Sequence, residues 1–328
     1  MLEVSLLVAS IVLALAYAYA NGMNDAANAI ATVVSTRALT PLAAVIMGGT
    51  LNAVGALAGT AVAKTIGKGI IDPSLMTQYA VISAIAASVI WVLFATRLGL
   101  PVSVSHSLIA GVVGAGGAVA GFGSLNSTVL AKVLLALALS PVLGFVGGFI
   151  FMILLYWMLR RRAPASVNRA GRWLQIGSAA FLSYSHGRND GQNAMGIIAL
   201  AWAVYYVRPL EIEFWMIGVS ALAIGLGTTL GGSRVIRTLG MRVTRLEPIN
   251  GFAANLTAAS VIEAASSIGL PVSTTHTSSS TIMGVGATRR FSAVRWGVTR
   301  SIALAWLITY PVCLVLGWTI SRIFVIFT

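Results

Sequence analysis

Eight residues of this chain occur twice. Asn21-Gly22-Met23-Asn24-Asp25-Ala26-Ala27-Asn28 returns 165 residues later as His186-Gly187-Arg188-Asn189-Asp190-Gly191-Gln192-Asn193, and both copies read Gly-x-Asn-Asp-x-x-Asn. Both lie inside segments apolar enough for lipid, where a carboxylate is costly unless it binds something. The carboxylates of Asp25 and Asp190 and the carbonyls of Asn24, Asn28, Asn189 and Asn193 are oxygen acceptors, which hard cations take as ligands. The duplication suggests one cation per motif. Gly22 and Gly187 are placed to let the backbone open and lend a carbonyl.

A second pair supplies the opposite chemistry. Gly99-Leu100-Pro101-Val102-Ser103-Val104-Ser105-His106-Ser107 matches Gly269-Leu270-Pro271-Val272-Ser273-Thr274-Thr275-His276-Thr277 at an offset of 170 residues. Proline stops one helix and suits the first turn of the next. The N–H groups of that first turn lack partners and carry partial positive charge, which suits an anion. Ser103, Ser105 and Ser107 at one end, and Ser273, Thr274, Thr275 and Thr277 at the other, would complete a donor cage for a tetrahedral oxyanion. Ser103 and Ser273 also suit helix capping. Asp25 and Asp190 can accept a hydrogen bond from a protonated oxyanion oxygen. His106 and His276 occupy matching positions and admit three readings: bonding the oxyanion, carrying a proton near neutral pH, or pinning the hairpin tip. Arg97 and Arg188 have no basic counterpart in the other half, and with Glu263 they read as pairing or gating residues.

The elements that must position these groups follow from composition. Hydrophobic residues make up 58% of the 328 and charged residues 9%, which excludes a soluble fold and predicts an all-α polytopic membrane protein. The first apolar run carries Glu3 and no basic start, so it reads as a retained helix rather than a cleaved signal peptide. The single cysteine, Cys313, rules out an intramolecular disulfide. The net charge of +13 is concentrated at residues 160–172, 234–245 and 289–300, short basic stretches between hydrophobic segments with no aromatic interleaving. That pattern fits the positive-inside rule rather than nucleic-acid binding.

The expected architecture is two inverted-topology repeats, each with three transmembrane spans (some broken) and one re-entrant helical hairpin. Residues 1–160 form the first repeat, with spans at 2–30, interrupted by the Asn-Asp motif, 41–63 and 128–159, and a hairpin at about 79–120. Residues 161–172 form a basic cytoplasmic linker. Residues 173–328 form the second repeat, with spans at 173–204, 211–231 and 291–327 and a hairpin at about 248–287. Three crossings per half give the halves opposite orientations. All three basic stretches and Arg37 then share the cytoplasmic side, and both termini are extracytoplasmic.

On its paired Gly-x-Asn-Asp and Gly-Leu-Pro-Val-Ser motifs the chain resembles, over essentially its whole length, the inorganic phosphate transporter (PiT) family of sodium- or proton-coupled phosphate permeases. The resemblance implies an inverted-repeat fold, a homodimer in the plasma membrane and inorganic phosphate as substrate. It implies phosphate contacts from the hydroxyls after Pro101 and Pro271. Coupling cations, sodium in preference to protons, would sit at Asn24, Asp25, Asn28, Asn189, Asp190 and Asn193, with no organic cofactor. The long soluble loop of animal relatives is reduced here to about 13 residues at 160–172, so regulation through such a loop is not expected. Both Asn-Asp motifs are intact, which favours phosphate over sulfate. The expected function is cation-coupled phosphate import by alternating access, without enzymatic activity. A permease of the same fold for sulfate or another oxyanion is the alternative, and a passive anion channel or an intramembrane hydrolase is more distant. Paired carboxylates would repel an anion from a channel, and a duplicated polar set with no His-Glu-x-x-His or Gly-x-Ser-x-Gly does not suit hydrolysis.

Overall fold

The computed structural model describes residues 2–327, and every named element among them is helical. The first half runs α1 (Leu2–Ser35), α2 (Pro41–Ala56), α3 (Ala61–Lys64) continuing as a π-helix (Thr65–Gly69), α4 (Gln78–Leu98), α5 (Val104–Ala120) and α6 (Ser127–Leu159). The second half runs α7 (Pro164–Tyr206), α8 (Phe214–Thr229), α9 (Ser233–Arg237) continuing as a π-helix (Thr238–Arg242), α10 (Pro248–Ser267), α11 (Thr274–Ala287) and α12 (Trp296–Phe327). Each element of one half thus has a counterpart in the other, down to the two π-helical turns.

Local sequence explains the boundaries. Thr40, Thr77, Ser103, Asn126 and Ser273 each accept a first-turn N–H through the side chain, and Pro41, Pro164 and Pro248 sit in first turns where no N–H is needed. Gly99 and Gly269, at φ 70° and 72°, turn the chain between the arms of each expected hairpin, a conformation only glycine adopts without strain. The arms themselves, α4 with α5 and α10 with α11, match the expected boundaries closely.

Three expectations are corrected. The Asn-Asp motifs do not interrupt their helices, since α1 and α7 run through them unbroken. Their carboxamides bond to other elements rather than to their own backbone, so nothing competes with the helical ladder. Gly22 and Gly187 do not open the chain either. They admit neighbouring backbone: a Cβ on Gly22 would lie 2.2 Å from the Ile224 carbonyl, and one on Gly187 1.9 Å from that of Asn52. The basic stretches are also less loop-like than expected. From Pro164 onward the expected linker is the start of α7, and much of the stretch from Arg234 lies in α9 and its π-helix. Arginine is a good helix former, so such stretches need not be loops.

Helices α1, α4, α6 and α12 are long and apolar enough to cross a membrane, and the bent pairs Pro41–Ala56 with Ala61–Gly69 (64°) and Phe214–Thr229 with Ser233–Arg242 (58°) raise the number to 6. Helix α7, which carries the polar second motif, does not meet that criterion although its 43 residues are ample in length. Packing is reciprocal between halves. α1 packs on α8 as α7 packs on α2, and α12 packs on α5 as α6 packs on α11. Pro141 and Pro311 interrupt the ladders of α6 and α12 at matching positions.

Candidate functional site

The two motif pairs converge on one buried centre. α1 and α7 pass through it as continuous rods, and the N-terminal ends of α5 and α11 are aimed at it by the two glycine turns. Each glycine carbonyl is fastened by the opposite half: Thr238 Oγ1 donates to Gly99 O at 3.0 Å and Thr65 Oγ1 donates to Gly269 O at 2.8 Å. These threonines open the two π-helical turns, so the bends of α2/α3 and α8/α9 hold the hairpin joints.

The asparagines repeat the same cross-wiring. Asn24 Nδ2 donates to Thr96 Oγ1 (2.7 Å) within its own half, and Asn189 lies 2.8 Å from the matching Ser266 Oγ. With its oxygen accepting from Ser266, the Asn189 amide reaches Val272 O (3.2 Å) and Asp190 Oδ1 (3.1 Å). The second asparagines cross over: Asn28 Nδ2 donates to Thr275 Oγ1 and Asn193 Nδ2 to Ser105 Oγ, both at 2.9 Å. Each Asn-Asp helix therefore touches both hairpins, and neither hairpin tip can move without disturbing a motif of the other half.

Both aspartates are 1% exposed and face the same hydroxyl. Thr274 Oγ1 lies 3.2 Å from Asp25 Oδ2 and 3.2 Å from Asp190 Oδ2, and Thr275 Oγ1 donates to Asp25 Oδ1 at 2.8 Å. A hydroxyl has one proton, so Thr274 can satisfy only one carboxylate at a time. The structure thus joins what the sequence suggested as two separate cation sites into a shared acidic pair. The carbonyl oxygens of Asn24, Asn28 and Asn193 are buried beside it with no hydrogen-bond partner. An orphan buried acceptor costs about 1–3 kcal/mol, and several of them around two carboxylates fit hard-cation ligation.

His186 adds a group whose role the sequence left unread. Its Nε2 lies 3.4 Å from Asp25 Oδ2 and 3.5 Å from Asp190 Oδ2, and its Nδ1 lies 3.0 Å from Asn52 Oδ1. Asn52 donates through Nδ2 to Thr228 Oγ1 (2.6 Å), whose own proton goes to Ile224 O (2.9 Å). That chain turns the Asn52 oxygen toward the imidazole, so Nδ1 carries a proton and Nε2 faces the carboxylates. Asp25, Asp190 and His186 bring ligand-capable atoms within 4.8 Å of one another.

The remaining candidates separate by distance from this centre. Ser103 and Ser273 cap α5 and α11, accepting from His106 N (3.2 Å) and His276 N (3.1 Å). Ser107 and Thr277 donate to their own helices, at Val104 O (2.6 Å) and Ser273 O (2.9 Å). Ser105, Thr274 and Thr275 are left as the hydroxyls at the centre. The rings of His106 and His276 pack at a tilt of 35° with centroids 4.7 Å apart, and His276 packs on Trp306 at 32° and 4.1 Å. Trp306 Nε1 donates to Pro101 O (3.0 Å). This geometry pins the two hairpin tips together. Arg188 pairs with Glu263 between α7 and α10. The Arg97 side chain is exposed, and its carbonyl accepts from Arg234.

Sequence reasoning missed Thr96, Ser266, Thr65 and Thr238, although comparing the halves reveals them: each pair keeps a hydroxyl at the offset of its element. Asn52, Thr228 and Tyr17 carry no such signal. Tyr17 OH, buried between Val104 O (3.3 Å) and Asn193 Nδ2 (3.5 Å), belongs to one half alone.

Comparison with known proteins follows the same lines. The profile of the phosphate transporter family matches residues 21–317. A probable low-affinity inorganic phosphate transporter of Bacillus subtilis is 43% identical over 311 residues, covering 94% of this chain and 93% of that protein. A Rhizobium meliloti protein of the same description is 43% identical over 309 residues, covering 93% and 92%. Among solved structures, one described as the sodium-dependent phosphate transporter superposes with a TM-score of 0.89 at 26% identity, covering 99% of this chain and 100% of that one.

Proposed function

The chain belongs to the phosphate transporter family, and from that premise we propose that it imports inorganic phosphate across the plasma membrane, coupled to sodium, by alternating access. One observation carries the reading: two carboxylates and three unpartnered carboxamide oxygens are buried together against the N-terminal ends of two helices. The acceptors call for cations and the helix ends call for an anion. Each set alone leaves charge buried in the membrane, and together they approach neutrality. Binding of either ligand therefore strengthens binding of the other, which is thermodynamic coupling.

In this reading Asn24, Asp25, Asn28, Asn189, Asp190 and Asn193 ligate sodium. Phosphate lies at Ser105, Thr274 and Thr275 and the adjacent N–H groups of α5 and α11, with a protonated oxygen donating to an aspartate. Ser103, Ser273, Ser107, Thr277, His106 and His276 shape the hairpin ends, and the Arg188–Glu263 pair gates one approach. The two halves act as inverted repeats, with α4–α5 and α10–α11 as re-entrant hairpins entering from opposite sides and both termini outside. The sealed aspartates correspond to an occluded step of the cycle. A homodimer is the assembly the family resemblance favours.

The test is labelled-phosphate uptake into proteoliposomes of the full chain, with sodium and proton gradients imposed separately and sulfate or arsenate as competitor. Sodium-driven accumulation against the phosphate gradient, resistant to sulfate, is expected. Equilibration without accumulation would turn the reading to a channel, and accumulation driven only by protons would overturn sodium as the coupling ion.

A further inference from the structure

We propose that the cleft between α1, α2 and α9 binds an anionic phospholipid, with the phosphodiester between Arg37 and Arg237 and an acyl chain along the apolar wall. The cleft encloses about 360 Å³ and is walled by Ile30, Val34, Val45 and Ile236, with both arginines at its rim. Beyond it the apolar surface continues over Leu42 and Ile46 of α2, which are 69% and 52% exposed. An apolar trough whose lining includes two exposed arginines fits a molecule with an anionic head and a hydrocarbon tail.

Charge bookkeeping supports this occupant. The chain has 21 basic and 8 acidic residues. Glu213, Glu247 and Glu263 already pair with Arg208, Arg289 and Arg188, Asp25 and Asp190 lie at the buried centre, and Asp72 accepts from Ser74. No carboxylate lines the cleft, and no ion pair is formed by Arg37 or Arg237 among the described residues. Arg37 also sits at φ 58°, a left-handed position that glycine or asparagine ordinarily fills at the end of a helix. The corresponding cleft of the other half, beside the first π-helix and the end of α7, holds Lys68 and Arg208, but Asp72 lines it and Arg208 is paired with Glu213. The cleft on the side the basic loops occupy, where the leaflet carries anionic lipid, thus holds two unpaired arginines and no acid, whereas the other cleft has an acid in its wall and its arginine already paired.

The site is connected to the hairpin. α9 and its π-helix carry Arg234 and Thr238, which hold the carbonyls of Arg97 and Gly99, and the cleft wall on α1 begins two residues after Asn28. A lipid seated there braces the elements that position the first hairpin, so it favours transport without touching substrate. The inference rests on the membrane placement proposed above, and not on the coupling ion.

The experiment is native mass spectrometry of the full-length protein equilibrated with phosphatidylglycerol or phosphatidylcholine, paired with uptake in vesicles of each lipid. Wild type is expected to retain phosphatidylglycerol selectively. Arg37→Gln with Arg237→Gln is expected to weaken that retention about thirtyfold, at about fivefold per arginine. The double lysine variant should restore most of it, which separates charge from folding. Arg161→Gln with Arg300→Gln, which removes equal charge elsewhere, should leave it unchanged. Retention unaffected by the cleft variant, or reduced equally by the control, would overturn the site. So would displacement of the lipid by inorganic phosphate, which would assign the arginines to the soluble anion. Uptake equal in both lipids, with binding intact, would overturn the bracing role.

Discussion

Replacing Asp25 with Asn tests the shared acidic pair most directly. The substitution keeps shape and removes one charge from a site where Asp25 and Asp190 face the same threonine oxygen at 3.2 Å. A unit charge about 4 Å from a cation, at an effective dielectric of about 20, contributes roughly 4 kcal/mol, or about three orders of magnitude in cation affinity. If sodium is supplied at about 100 times the wild-type Kd, it stabilises the fold by about 2.7 kcal/mol. At the same concentration the variant would stand near one tenth of its own Kd, and the stabilisation falls below about 0.1 kcal/mol. Without sodium the variant should unfold no earlier than wild type, because one uncompensated buried charge has gone. Thermal unfolding in sodium and choline salts, together with phosphate uptake, measures both quantities. A sodium-dependent stabilisation equal to that of wild type, or coupled uptake at the wild-type rate, would refute the reasoning.

Three further predictions concern the scaffold. Gly187→Ala should destabilise by about 1–3 kcal/mol because its Cβ would lie 1.9 Å from Asn52 O, whereas Gly177→Ala, with nothing within 4 Å, should be neutral or stabilising; thermal unfolding of both would decide. Glu263→Gln should alter initial uptake rates by leaving Arg188 half-buried without its partner, and exchanging the two charges should recover part of the loss; a swap no better than either single change argues against gating by this pair. The hydrogen bond from Arg289 holds the Glu247 carboxyl below the usual carboxylate range. A depressed folded-state value contributes stability above the unfolded value, near 4.3, and loses it as pH falls through the folded one, so Glu247→Gln should flatten acid destabilisation below about pH 4 in a melting series.

Much of the fold was legible because duplication made the chain its own comparison. The hairpin arms fell within a few residues of expectation, since Gly-Leu-Pro carries both a stop and a start signal. The continuity of α1 and α7 was not legible, because asparagine and glycine weaken a helix locally and only neighbouring helices show why they are there. Their carboxamides find Thr96, Thr275, Ser266 and Ser105, and their glycines admit the backbones of α8 and α2.

The sequence by itself determined the chemistry: two acidic motifs, two hydroxyl-rich helix starts and a basic charge set apart from both. Only the tertiary structure decided that the two aspartates share one threonine, that His186 stands between them with Asn52 behind it, and that each half fastens the other's hairpin. Residue type and spacing specify what a group can bind and which elements form locally. Which groups meet depends on contacts between residues far apart in the chain, as with Asn28 and Thr275, and those are set by how helices pack.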